Sequence, residues 1–226
     1  MKKFVIIVAG GSGVRMGTEL PKQFLELCGK PVLMHTIQCF VDFDPECELI
    51  LVLPLAQQEF WVQLCLKHSF SLPHQVASGG ETRFHSVQKG LRLIQGEGIV
   101  FIHDGVRPLV SRQTLVRCFE TAQKYGNAIP VLPVTESLRK LDGEQNIAVD
   151  RSLYFSVQTP QTFRSDQILQ SFSQPYEQGF TDDASVVESA GYKIQLVEGN
   201  VENIKITTPT DLIICEVLMH ATIRTT

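Results

Sequence analysis

Phe4–Ala9 is an unbroken apolar run that stops at Gly10-Gly11-Ser12-Gly13. Apolar residues without alternation suit a strand covered on both faces, as in parallel sheets. The signal returns at Glu48–Leu53, closed by Pro54, at Ile99–His103 and at Ala128–Pro133. Helical spacing fills the intervals: Pro31–Val41, Ala56–Lys67, Glu81–Leu93 and Ser111–Lys124, with Ser111 as an N-cap. Strands alternating with helices predict an α/β fold, a Rossmann-like and mostly parallel sheet flanked by helices.

Val134–Phe163 breaks this rhythm. It reads as strand, an Asp142-Gly143 turn, then strand-like Asn146–Val149 and Leu153–Val157. The expectation is one domain over residues 1–226 with a β-hairpin arm at 134–158 projecting from it as a candidate subunit contact. Helices at Asp166–Phe172 and Asp183–Ala190, a strand at Ile194–Val197 and a helix at Thr208–Ala221 complete the reading.

Composition narrows the function classes. With 43% hydrophobic and 19% charged residues, wholesale disorder, collagen-like repeats and coiled coils are excluded. Twenty basic against 24 acidic residues give a net charge of −4, which argues against non-specific binding to nucleic acid or a membrane surface. No apolar run reaches the ~18 residues of a membrane span. Six cysteines, with no C-x-x-C pair, no zinc-finger spacing and no secretory signal, predict reduced thiols and a cytoplasmic location.

The glycine-rich turn after the first strand is where a nucleotide is expected, because ligands of open α/β sheets lie beyond the strands' carboxyl ends. Two familiar phosphate loops fail. The one Gly-Lys pair, Gly29-Lys30, is followed by Pro31, so there is no Walker A, and Met16 stands where a dinucleotide fingerprint needs glycine or alanine. Arg15 and then Pro21-Lys22-Gln23 instead place two cations on one loop, which suits a triphosphate attacked at its α-phosphorus.

Other constellations point to the same sheet edge. Asp104 and Arg107, in His103-Asp104-Gly105-Val106-Arg107-Pro108, follow a strand. Asp104 suits a ribose hydroxyl or Mg²⁺, and Arg107 a phosphate. Gly79-Gly80-Glu81-Thr82-Arg83-Phe84-His85-Ser86 opens a helix whose N–H groups can face a base or phosphate, although Glu81 also reads as a cap of the helix dipole and Ser86 as an ordinary helix residue. Lys205, in an apolar and strand-like run, suggests an anionic partner. Thr159-Pro160-Gln161 and Thr181-Asp182-Asp183 are weaker, and Arg151 in the arm reads either as ordinary surface or as a residue reaching a neighbouring subunit's site. No Ser-His-Asp or Cys-His arrangement is legible.

Taken in order, these motifs, together with Leu196-Val197-Glu198-Gly199 and Asn203-Ile204-Lys205, resemble the 2-C-methyl-D-erythritol 4-phosphate cytidylyltransferases of the non-mevalonate isoprenoid pathway. The resemblance covers nearly the whole chain and implies a nucleotide-diphospho-sugar transferase type of fold. It implies that Arg15 and Lys22 stabilise the pentavalent phosphate. It implies that Ala9, Gly10, Gly11, Gly80, Glu81 and Ser86 hold the cytidine nucleotide. Asp104, Arg107, Thr159, Thr181 and Lys205 would meet the sugar phosphate, and Ser137 and Arg151 would enter the partner subunit's site in a homodimer. Mg²⁺ is the implied cofactor, with Asp104 as its candidate ligand. Glu81 stands where aspartate is common and Ser137 where threonine is, which keeps the hydroxyl. The implied reaction is in-line attack by the phosphate of a polyol phosphate on the α-phosphorus of CTP, releasing pyrophosphate. Relatives acting on ribitol 5-phosphate share most of these motifs, and a nucleotide-binding module without catalysis is the reading from a different class.

Overall fold

The computed structural model describes residues 1–10 and 20–223. Among them, strand β1 (Lys2–Val8) lies at the centre of a sheet, between β4 (Glu48–Leu53) and β6 (Gly98–Asp104), parallel to both. β5 (Gln75–Ser78) adds a parallel edge beside β4. On the other side, β11 (Gln161–Arg164) runs antiparallel to both β6 and β7 (Asn127–Pro133). β10 (Phe155–Val157) pairs antiparallel with β7, and β12 (Leu196–Glu198) pairs with it in parallel.

The unbroken apolar runs are explained by this placement. Successive side chains of one strand point to opposite faces, and both faces are covered. Val5, Ile7, Leu49, Leu51 and Phe101 pack with α1 (Val32–Phe43), α2 (Leu55–Lys67) and α4 (Arg112–Tyr125) through Ile37, Phe40, Trp61 and Leu115. Phe4, Ile6, Ile50, Val52, Val100 and Ile102 pack on the opposite face with α3 (Arg83–Leu91) and α5 (Ser165–Ser171) through Phe84, Val87 and Ile168. Gly90 lets α3 approach closely: a Cβ there would stand 2.9 Å from Ile6 Cγ2 and 3.1 Å from Val52 Cγ2.

Several sequence expectations are corrected. α3 begins at Arg83, not Glu81, because the Thr82 side chain accepts the His85 N–H as its N-cap. The polar, exposed edge strand β5 carries no apolar run and escaped notice. Lys205 lies outside any strand of the described residues; the backbone bond from Ile206 N–H to Val106 O at 2.9 Å ties its run to the turn after β6. The irregular stretch is not all arm. Phe155–Val157 and Gln161–Arg164 belong to the main sheet, and the hairpin that stands apart is β8 (Leu138–Asp142) with β9 (Gln145–Val149).

The parallel register fixes where a ligand can sit. Val8 is level with Val52 and Asp104, and Leu53 with Ser78. The chain leaves all four strands at one edge, and the turns there continue the ladders: Ala9 N–H bonds Val52 O, Gly79 N–H bonds Leu53 O and Gly105 N–H bonds Val8 O. The close fit of the β6 turn against the β1 turn requires a glycine, since a Cβ on Gly105 would lie 2.8 Å from Ala9 Cβ.

Candidate active site

A cleft of about 260 Å³ opens at this edge between Ala9-Gly10, Lys22, Gly80-Glu81 and the pair Asp104–Lys205. Lys22 starts a short 3-10 turn (Lys22–Phe24) behind Pro21. The buried Gln23 anchors that turn, donating through Nε2 to Ala9 O at 2.8 Å. The Gly80 N–H donates to Ser86 Oγ at 3.0 Å, and that hydroxyl donates onward to Thr82 O at 3.0 Å. Ser86 therefore shapes the glycine turn from the first turns of α3. Lys89 closes the same turn, its Nζ donating to Gly79 O at 2.8 Å.

Asp104 is the electrostatic centre. Its Oδ2 accepts from Lys205 Nζ at 3.0 Å and Arg107 Nε at 3.2 Å, and Arg83 Nη2 stands 3.8 Å from Oδ1. Burial alone would raise its pKa, but Arg83, Lys205 and Arg107 together hold the carboxyl well below its usual range. Lys22, Arg83 and Lys205 against Asp104 and Glu81 leave the lining of the first hollow with an excess of positive charge for an anionic ligand. Arg83 is itself held by an ion pair with the buried Asp183 at the start of α6 (Asp183–Ser189), so its charge is fixed in place.

A buried polar lattice positions this cluster. Asp104 N–H donates to Thr159 Oγ1 at 3.1 Å, and that hydroxyl faces His103 Nδ1 at 3.0 Å. His103 Nε2 lies 3.0 Å from Arg107 O. A carbonyl only accepts, so Nε2 carries the proton and Nδ1 accepts from Thr159. Burial pushes the His103 pKa down to about 4, which keeps the ring neutral. Arg107 Nη1 donates to Asn203 O at 2.7 Å, while Asn203 Nδ2 donates to Thr159 O at 2.8 Å. These bonds fasten the segment carrying Lys205 to the strand ends.

A second hollow of about 310 Å³ lies alongside, lined by Arg107, Thr159 and Thr181. It shares Arg83, Asp104 and Lys205 with the first. Thr181 is exposed at its rim, and Asp182 behind it forms a capping box with Ser185. Gln161 clips β11 to this cap, donating to Asp182 Oδ2 and accepting from Ala184 N–H, both at 2.8 Å.

Comparisons with known proteins fit this arrangement. The family model for 2-C-methyl-D-erythritol 4-phosphate cytidylyltransferase (IspD) matches residues 3–221. A protein of that name from Bacteroides thetaiotaomicron is 54% identical over 219 residues, covering 97% of this chain and all of the relative. One from Bacillus velezensis is 38% identical over 98% of this chain and 97% of its own. The chain belongs to this family. The crystal structure of the Thermus thermophilus cytidylyltransferase superposes with a TM-score of 0.80 at 32% identity, covering 97% of this chain and 100% of that one.

Of the residues expected in a cytidylyltransferase site, Ala9, Gly10, Lys22, Gly80, Glu81, Ser86, Asp104 and Lys205 line the first hollow. Arg107, Thr159 and Thr181 line the second. Gly11 and Arg15 lie outside the described residues. Ser137 and Arg151 line a separate hollow on the arm, away from this cleft. The Thr159 and Ser86 hydroxyls are committed to protein partners, so both residues shape the site. Arg83, His103 and Asn203 were given no role in the sequence, although each stands inside a motif quoted there, which was the available signal.

The magnesium ligand assigned to Asp104 does not fit. Both its oxygens face cations, and a dication there would add a fourth positive partner. Among the described residues, the other carboxylate lining the first hollow is Glu81, which is exposed.

Proposed function

We propose that this chain transfers the cytidylyl group of CTP to 2-C-methyl-D-erythritol 4-phosphate, releasing pyrophosphate. The observation that carries this reading is the pair of hollows sharing Arg83, Asp104 and Lys205. One offers Lys22 beside the turns at Ala9-Gly10 and Gly80-Glu81, a cation and close backbone approach suited to a nucleotide triphosphate. The other offers Arg107 and Thr181 beside the same cations, suited to a polyol phosphate. Two substrates placed there would have their phosphates meet at Lys205.

The attacking group is a phosphate-monoester oxygen, already anionic near neutral pH, so no general base is needed. Catalysis then rests on alignment and on charge stabilisation by Lys22 and Arg15 as pyrophosphate departs. Magnesium is proposed as the counter-ion of the triphosphate, not as an ion held by Asp104, and no step here depends on it. We assign the arm to a homodimer contact. Leu141, Ile147, Leu153 and Tyr154 are exposed on or beside it, an apolar surface of the kind that a second copy covers. Arg151, whose Nη1 donates to Thr135 O, would be presented to the partner's site. Every relative compared above is named for methylerythritol phosphate, which disfavours ribitol 5-phosphate and a silent binding module.

Methylerythritol phosphate carrying ¹⁸O in its phosphate tests the direction of attack. All label should remain in the cytidine diphosphate product, and label appearing in pyrophosphate would contradict the reading.

A further inference from the structure

Away from the cleft, the final helix packs on the small hairpin that follows Lys22. The hairpin pairs β2 (Glu26–Leu27) with β3 (Lys30–Pro31), and its turn is Cys28-Gly29. Cys28 adopts φ 47° and Gly29 φ 80°, so the cysteine occupies a left-handed position that is costly for a side chain. The hairpin is held from below: His35 Nε2 bonds Leu27 O at 2.7 Å, and Val32 N–H bonds Leu25 O at 2.9 Å. Leu27 and Cys215 share a buried cluster that joins the hairpin to helix α7 (Pro209–Ile223). The thiol of Cys28 is therefore carried on a fixed scaffold and faces one side of that helix.

On that side stand Glu216 and His220, four residues apart and so one above the other. Cys28 Sγ lies 3.8 Å from His220 Nε2, and one ligand atom from each of the three residues falls within 4.8 Å of the others. Two donors on a tetrahedral zinc, at metal distances of about 2.0–2.3 Å, stand roughly 3.3–3.7 Å apart. The cysteine–histidine separation is within a few tenths of an ångström of that, and the exposed Glu216 side chain can close the remainder by a rotamer change. We propose that Cys28, Glu216 and His220 form a binding site for a borderline-soft divalent cation of the zinc class, with water as the fourth ligand.

The chemistry of the donors favours this class. Thiolate and imidazole select zinc-like ions over magnesium or calcium, and the carboxylate adds a second negative charge. On binding, the thiol releases its proton to solvent. The ion would clip the hairpin that follows Lys22 to the helix that follows Lys205, fixing both segments. The proposal stands independently of the nucleotidyl-transfer reading, because no residue of the cleft takes part.

Cobalt(II) is the probe, titrated without nucleotide into the whole protein under a phosphine reductant. The expected result is a thiolate-to-cobalt charge-transfer band with tetrahedral visible absorption, saturating at one equivalent and displaced by zinc. Cys28→Ser and His220→Gln should each lose the band while keeping the wild-type circular dichroism and CTP turnover. Zinc should raise the Tm of the wild type and leave that of Cys28→Ser unchanged. Absence of the band in the wild type, a band that survives Cys28→Ser, or binding that never saturates would each overturn the proposal.

Discussion

At the residue scale the site is governed by one carboxylate and the cations around it, and each partner of Asp104 has a different consequence when removed. Lys205 is partly exposed and can turn toward an incoming phosphate. Lys205→Ala removes one charge-assisted hydrogen bond, so the KM for the polyol phosphate should rise roughly 10–100-fold with a much smaller change in that for CTP. Steady-state kinetics with each substrate varied in turn separates the two. Lys22→Ala acts on the transition state and should lower kcat by about 10²–10³ with little change in CTP affinity. Arg83 is different, because its partner Asp183 is fully buried. Arg83→Met leaves that carboxylate uncompensated and should destabilise the fold by about 3–5 kcal/mol, visible as a lowered Tm before any kinetic effect is measured.

At the element scale, the carboxyl edge of the sheet is held open by turns that only certain residues can make. A Cβ on Gly80 would lie 2.9 Å from the carbonyl carbon of His85, inside the first turn of α3. Gly80→Ala should therefore displace the turn and abolish detectable CTP binding by calorimetry, while the far end of α3 stays packed on Ile6 and Val52. Much of this edge was legible in the sequence. The apolar runs located β1, β4, β6 and β7, and the glycine pairs and Asp104 after them marked the site. What escaped has physical causes. β5 is a polar edge strand with little apolar signal, and β11 enters the sheet antiparallel after an irregular stretch, so neither follows the strand–helix rhythm. Thr159, read as a ligand contact, lines the second hollow, and its hydroxyl also serves His103 and the Asp104 backbone. A hydroxyl's partner depends on tertiary neighbours 55 and 56 residues away, which local pattern does not report.

At the scale of the whole molecule, stability should depend on pH through His103. Its ordinary pKa is about 6.5, and in the folded state burial holds it at about 4. The unfolded chain therefore binds a proton between these values that the folded chain refuses. The contribution is complete above pH 6.5 and is lost as the pH falls from 6.5 to 4, by roughly 3 kcal/mol. Asp104, held low, adds its own loss only below about pH 4. The Tm should fall across pH 6.5 to 4, and His103→Gln, whose amide can donate to Arg107 O and accept from Thr159, should flatten that slope.

Assembly gives a further prediction at this scale. If the arm delivers Arg151 to the partner's site, Arg151→Ala and Lys22→Ala homodimers are each nearly inactive. Mixing them under exchange should regain activity, because one heterodimer site then combines an intact Lys22 with an intact arm. No recovery on mixing would place Arg151 outside the neighbouring site. The assigned reaction is tested by pyrophosphate release with CTP and Mg²⁺, measured side by side with methylerythritol phosphate and ribitol 5-phosphate. Turnover is expected with methylerythritol phosphate, and at most trace release with ribitol 5-phosphate. Bound CTP with no pyrophosphate released from either, or release with ribitol 5-phosphate alone, would contradict it.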